Sequence, residues 1–340
     1  MPVTLKDVAL RAGVSRSAVS RSFTPGASVS PATRAKVEAA AAALGYAPSA
    51  LASALSTGRT KLIGIVVSNF HNPIFLEVFD RFTRGLQDRG LRPLLVNLTG
   101  ETDPKASLRM LRQYSVDGVI VASSTLPPSF ARAFRVAGLP VVHSFGRWTS
   151  APDTHVVGID NVECGRMAAR TFAARGYRRV AFLGGPDSAT STEDRLRGFL
   201  EGIEGSAMIG VTTSFATEYT FEAGRTEMRR LLAEGPPAEA YFCADDVLSI
   251  GALSALEDAG LDVPGDVGVI GLNDMEIAGW DNIALTTIRQ PMGAIIDASI
   301  ELAIGTIDDP DRLPEARLFP CRIVERDTLR PLPEGGDAPG

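Results

Sequence analysis

Cysteine, histidine and aromatic residues are all scarce in this chain of 340 residues: three Cys, three His, and 6% Phe, Trp and Tyr together. Cys164, Cys243 and Cys321 stand alone, with no Cys-x-x-Cys spacing. That excludes a disulfide framework or a thiolate zinc cluster and predicts small buried hydrophobes in a reducing compartment. His71, His143 and His155 are scattered and give no metal-ligand pattern, so no metal is expected. No uninterrupted apolar run reaches the ~18 residues of a membrane span, and the first residues lack a signal peptide's apolar core. A cytoplasmic protein is the expectation. Nucleotide loops are missing too. Val67-Ser68-Asn69-Phe70 stands where a dinucleotide-binding Gly-x-Gly-x-x-Gly would follow the first strand. No Gly-x-x-x-x-Gly-Lys loop and no Gly-x-Ser-x-Gly elbow occurs. Asp245 and Asp246 are neighbours in sequence, which is no sign of a paired acid and base. No catalytic residue and no cofactor is expected.

Charge is present but unevenly spread. Residues 1–61 hold eight Lys and Arg against two acids, a net of +6; the whole chain is −6, so residues 62–340 carry −12. A basic head on an acidic body fits a phosphate-binding module joined to a soluble domain that DNA repels. The head reads as two short helices around Ala12-Gly13-Val14, the shape that lays a helix in the major groove. Thr4 caps the first helix and Asp7 favours its positive end. Leu5, Val8 and Ala9 form an apolar stripe. Ser15 caps the second helix, which buries Ala18 and Val19 and turns Arg16, Ser17, Ser20 and Arg21 outward. The bland alternative is any αα-hairpin with a solvated basic face; the charge asymmetry favours the DNA-binding reading.

Ser30-Pro31 opens a third helix that runs from Ala32 to Leu44 and stops at Gly45. After Tyr46-Ala47-Pro48 comes a segment of about two turns, residues 49–56, too short to be stable alone. It is either a plain linker or a hinge that folds against DNA, with Leu55 wedged between base pairs from the minor groove.

These head motifs resemble the LacI/GalR family of bacterial transcription regulators. The residues that carry the resemblance are Leu5-Lys6-Asp7-Val8-Ala9, Ala12-Gly13-Val14-Ser15, Val19-Ser20-Arg21, Val29-Ser30-Pro31-Ala32-Thr33-Arg34, Leu44-Gly45-Tyr46-Ala47-Pro48-Ser49 and Leu51-Ala52-Ser53-Ala54-Leu55. Ser22-Phe23-Thr24 departs from the family's aliphatic pair and Asn. The resemblance implies that Thr4, Lys6, Ser15, Arg16, Ser17, Ser20 and Arg21 face DNA. Arg16 and Ser17 would read base edges, with a guanine under Arg16. Ala52 and Leu55 would occupy the minor-groove hinge. The expected partner is a double-stranded operator bound by a homodimer, with higher assembly left open.

Beyond Lys61 short apolar strands alternate with helices, beginning Leu62-Ile63-Gly64-Ile65-Val66-Val67 and restarting near residue 161. That pattern means parallel sheets covered on both faces. The body too resembles the LacI/GalR effector domain, in Asn72-Pro73-Ile74-Phe75, Asp117-Gly118-Val119-Ile120, Arg195-Leu196-Arg197-Gly198-Phe199 and Leu285-Thr286-Thr287-Ile288-Arg289-Gln290-Pro291 among others. The expected fold is an all-α helix-turn-helix head on an α/β body like a type I periplasmic binding protein, made of two doubly wound parallel-sheet subdomains. The expected divisions are 1–48 for the head, 49–61 for the hinge, and 62–330 for the effector and dimerisation domain. Within the last, 62–160 with 290–320 and 161–289 with 321–330 form the subdomains; 331–340 reads as a disordered tail.

Ligands of such sheets bind beyond the strand carboxyl ends. The resemblance implies a pocket walled by Phe75 and Tyr219 and anchored by Arg195, Asp245 and Asn273, with Ser191 and Asp160 as second choices. The family usually has Asn then Asp where this chain has Asp245 and Asn273, so the pair is exchanged. The loop Asp187–Thr192 lacks the arginine that some purine-responsive members carry. So few fixed charges suit a neutral polyol, and a sugar or sugar derivative is the expected effector. The resulting expectation is a ligand-controlled repressor on a palindromic operator. The rivals are a regulator whose body has lost its ligand, a secreted solute-binding protein and an enzyme; the basic head counts against the last two.

Overall fold

A computed structural model describes residues 3–24, 26–49, 54–55, 57–98, 103–208 and 210–333. Contacts divide the chain into two units, 1–61 with 115–117, and 62–114 with 118–340.

The first unit is helical. Its elements are α1 (Leu5–Ala12), α2 (Arg16–Ser22) and α3 (Pro31–Leu44). The Asp7 carboxylate accepts from both the backbone N–H and the hydroxyl of Thr4, at 2.8 and 2.7 Å, fixing the start of α1. Gly13 ends it at φ 66°, the left-handed turn that glycine adopts without a Cβ penalty. Ser15 caps α2 by accepting from Ala18 N–H, and Ser30 caps α3 by accepting from Thr33 N–H. Val8, Ala9, Val19, Val37, Ala40 and Ala41 form the core, with Phe23 and Tyr46 packed at its edge. In the same unit Thr60 and Lys61 donate their backbone N–H groups to the Asp117 carboxylate. Residues 50–53 and 56 of the expected hinge, Ala52 among them, lie outside the described residues.

The second unit holds two six-stranded sheets. The first is ordered β11-β5-β4-β3-β1-β2: β1 (Leu62–Val67), β2 (Arg92–Asn97), β3 (Gly118–Ala122), β4 (Val141–Ser144), β5 (His155–Gly158) and β11 (Ala316–Leu318). The second is ordered β12-β10-β9-β8-β6-β7: β6 (Arg179–Gly184), β7 (Gly210–Phe215), β8 (Ala240–Cys243), β9 (Gly268–Asn273), β10 (Thr287–Arg289) and β12 (Arg322–Val324). Every pairing is parallel except β10 with β12. The first lobe carries α4 (Ile74–Asp88), α5 (Lys105–Gln113), α6 (Pro128–Val136) and α11 (Met292–Asp308). The second carries α7 (Asn161–Ala174), α8 (Thr190–Ile203), α9 (Phe221–Glu234) and α10 (Asp246–Asp258). This is the α-helical head and type I periplasmic-binding-protein-like body that the sequence predicts. Among the described residues no helix is long and apolar enough to cross a membrane.

The sequence predicts a helix from Arg195, yet α8 begins at Thr190. Its polar start, Thr-Ser-Thr-Glu-Asp, has weak helix propensity and is held by tertiary bonds instead: Ser191 N–H and the Thr190 hydroxyl both donate to the Ser124 carbonyl. Of the cysteines expected to be buried, Cys164 and Cys243 are, whereas Cys321 is half-exposed beside β12.

Helices α7 and α8 touch backbone to backbone. A Cβ on Gly165 would lie 2.2 Å from the Arg195 carbonyl oxygen, and one on Gly198 only 1.8 Å from that of Val162. This approach lets Asn161, at the start of α7, accept from Arg195 Nε at 2.8 Å. Gly198→Ala is therefore expected to cost about 3 kcal/mol or more by overpacking. Gly210→Ala, whose Cβ would meet nothing nearer than 3.7 Å, should stay within about 0.5 kcal/mol of the parent. Urea unfolding of the two variants checks both.

Candidate functional site

The chain presents two sites, one in each unit. In the head, Val19 and Ser22 of α2 are buried while Arg16, Ser17, Ser20 and Arg21 are exposed along its other side. Ser15 and Ser17 share a hydroxyl–hydroxyl bond of 2.9 Å. Arg34 of α3 reaches the Ser22 carbonyl and ties the end of α2 to the core. Thr4 and Lys6 are exposed at the start of α1. Leu55 is 90% exposed, an apolar side chain held out in water. The head thus offers a short, capped, cation-bearing helix with a free face.

In the body a cavity opens beyond the strand ends. First-lobe residues Ser68, Asn72, Phe75, Ser123 and Phe145 line one side; Asn161, Arg195, Tyr219, Asp245, Asn273 and Gln290 line the other. Each is set by its element. Asp245 caps α10, its Oδ1 accepting from Val247 N–H at 2.9 Å. Its Oδ2 accepts from Asn273 at 2.9 Å and from Asn72, across the cleft, at 3.0 Å. Gln290 Nε2 donates to Asn273 Oδ1 at 2.6 Å and completes a chain of four polar side chains. Asn273 (φ 130°) and Asp274 (φ 58°) end β9 in backbone conformations rare for residues with a Cβ. Asp274 is held there by Arg289 and Arg326.

Arg195 is only 4% exposed. Its Nε bonds Asn161 and its Nη1 the Ala244 carbonyl, which aims the guanidinium at the cavity. Tyr219 is fixed by a 2.6 Å bond between its hydroxyl and Thr192. Its ring lies so close to Gly185 that a Cβ there would sit 2.4 Å from ring carbons. The cavity is small, about 50 Å³, and partly open to solvent.

The family model described as bacterial regulatory proteins, lacI family, matches residues 4–49, and the periplasmic binding protein-like domain matches residues 169–329. The HTH-type transcriptional repressor PurR of Escherichia coli O139:H28 is 33% identical over 328 residues, 95% of this chain and 96% of that protein. The chain belongs to the LacI family. Among solved structures, the Lac repressor dimer bound to operator and the anti-inducer ONPF superposes with a TM-score of 0.85 at 26% identity, covering 97% of this chain and all of the other. The transcriptional regulator CelR in complex with cellobiose gives 0.71 at 28% identity over 96% of this chain and 99% of the other. The protein is thus a ligand-responsive, DNA-binding transcription regulator and not an enzyme.

Of the pocket residues expected for a LacI-family member, Phe75, Arg195, Tyr219, Asp245 and Asn273 line the cavity. Asp160 and Ser191 do not. Asp160 caps α7, accepting from the backbone N–H groups of Val162 and Glu163. Ser191 lies buried behind Tyr219, its hydroxyl 3.4 Å from that of the tyrosine. Asn72 belongs to the polar stretch after the first strand, Ser68-Asn69-Phe70-His71-Asn72-Pro73, that the sequence marks as a strand-end candidate, whereas Asn161 and Gln290 line the cavity unexpectedly. Gln290 follows an apolar strand and precedes a proline, a signal that was available.

Burial pushes the Asp245 carboxyl up to about 6 and that of Asp246 up to about 7, against the opposing hydrogen bonds from Val247 and Thr287. Asp246 is wholly enclosed, bonded by the Thr287 hydroxyl and Met275 N–H. Both acids keep a proton in the fold at pH values where the unfolded chain has lost it. Their stabilising contribution is full below about pH 4 and lost as pH rises through about 6 to 7. Asp246→Asn lacks one acceptor oxygen and should be the less stable protein at pH 5. The gap should narrow by about 1–3 kcal/mol by pH 8, read as the difference between urea unfolding free energies at the two pH values.

Proposed function

We propose that this regulator binds an imperfect palindrome as a homodimer, one head per half-site, and that a small sugar or sugar derivative in the cleft controls it. Arg16 and Ser17 read base edges, Arg21 a base or phosphate, and Thr4, Lys6, Ser15 and Ser20 orient the head on the backbone. Ala52 and Leu55 enter the minor groove and bend the duplex. Closing the lobes on the effector changes the separation of the two hinge segments and with it the affinity for the operator.

The observation that carries the effector reading is the lining of one small cavity. Aromatic walls, Phe75 and Tyr219, face amide and hydroxyl groups, the Asp245 carboxyl and a single guanidinium. Hydroxyl-rich rings offer both donors and acceptors to such a set, with apolar faces for the aromatic walls. The similarity to a regulator bound to cellobiose supports a sugar. The exchange of Asp245 and Asn273 leaves an amide donating to a carboxylate, so the couple survives with its partners reversed. This favours a retained ligand over a lost one.

A thermal-shift screen of monosaccharides and their acid and amino derivatives, followed by calorimetry, tests the effector class; at least one is expected to raise the melting temperature. Stabilisation by purine bases alone, or by nothing, overturns it. Asp245→Ala leaves Asn72 and Asn273 without their shared acceptor, and is expected to abolish the response to that ligand while leaving operator affinity intact. Arg16→Ala should weaken operator binding by about 1–3 kcal/mol and relax the preference at one base pair per half-site. Mobility-shift titrations on operator and on random duplex separate this from a phosphate contact, which would weaken both equally.

A further inference from the structure

The two lobes are joined by a contact outside the cavity. Arg147 lies in the first lobe between β4 and β5. Its Nε donates to Asp194 Oδ2 at 2.8 Å and its Nη2 to Asp194 Oδ1 at 2.7 Å, a two-pronged grip on one carboxylate of the second lobe. The same Nη2 reaches Glu193 Oε2 at 2.8 Å. Beside this grip, Ser191 N–H and the Thr190 hydroxyl donate to the Ser124 carbonyl at 3.2 and 3.0 Å. All five bonds land on the first turns of α8, and the residue after Asp194 is Arg195, which lines the cavity.

An exposed ion pair on a surface contributes little. This one differs in geometry and setting. The Asp194 side chain is 7% exposed, and the fork on Arg147 matches a carboxylate in both spacing and plane. Asp194 also takes a bond from Arg197 on its own helix, at 3.0 Å, which fixes the carboxylate for its partner across the cleft. Hydrogen bonding to Asp194 holds the Arg147 guanidinium in its charged form.

We infer that Arg147 is a latch: it helps hold the lobes together in the closed form and, acting through Asp194, positions Arg195. It is a positioning residue, since it does not line the cavity. The latch favours the closed form that the effector also favours, so the strength of the grip scales the apparent affinity. That consequence for affinity rests on the cleft being the effector site; the latch itself does not.

Hydrogen exchange on the ligand-free full chain tests the latch independently of any effector. The Ser191 amide has its acceptor on the opposite lobe, so its protection reports closure directly. Arg147→Met is expected to speed exchange at Ser191 by ten-fold or more while Val180–Leu183 of β6 exchange as in the parent. Arg147→Lys keeps the charge and loses the fork, and should fall between. Asp194→Asn weakens the same grip from the other wall and should reproduce the Arg147→Met effect, and the double variant should add nothing to either. Unchanged exchange at Ser191, or acceleration shared equally by β6, overturns the latch.

Discussion

Asp245 accepts hydrogen bonds from both lobes at once. One oxygen is spent on capping α10 and the other is shared between Asn273 beside it and Asn72 across the cleft. Burial raises the cost of ionising this carboxylate, and its hydrogen bonds only partly offset that cost. The consequence is a site whose polar chain, from Asn72 through Asp245 and Asn273 to Gln290, closes only when the lobes meet. A ligand in the cavity meets groups already turned toward it, so little ordering is left to oppose binding.

The supporting structure serves that junction. Gly165 and Gly198 let α7 and α8 approach until Asn161 can hold Arg195, and Gly185 makes room for the Tyr219 ring. The rare backbone angles at Asn273 and Asp274 turn the end of β9 into the cleft, and Arg289 and Arg326 hold Asp274 in place. The head is organised on a smaller scale: serine and aspartate caps define short helices, and one side of α2 is left to carry arginine outward.

Much of this was legible because it is local. The caps, Gly13 and the basic charge of residues 1–61 define the head within a few residues of one another. Alternating apolar runs define the sheets, and family motifs pointed to Phe75, Arg195, Tyr219, Asp245 and Asn273. Sequence ranked Asp160 behind Asp245 but could not remove it from the site. Both are aspartates capping a helix after a strand. Only the fold brings Asn72 and Asn273 to the second oxygen of one and leaves the other to its helix. Arg147 and Asp194 were equally hidden, since nothing local to either marks a partner 47 positions away. The early start of α8 was missed for the same reason, because the Ser124 carbonyl that receives its first turn belongs to the opposite lobe.

The central claim is that one cleft in the body governs the DNA affinity of the head. The direct measurement is the linkage between the two sites in the full-length protein, with an operator selected from a pool of random duplexes and the sugar identified by thermal shift. Operator affinity with and without saturating sugar, and sugar affinity with and without operator, should change by the same factor of five or more. A sugar that binds the cleft tightly while operator affinity stays constant would contradict the account.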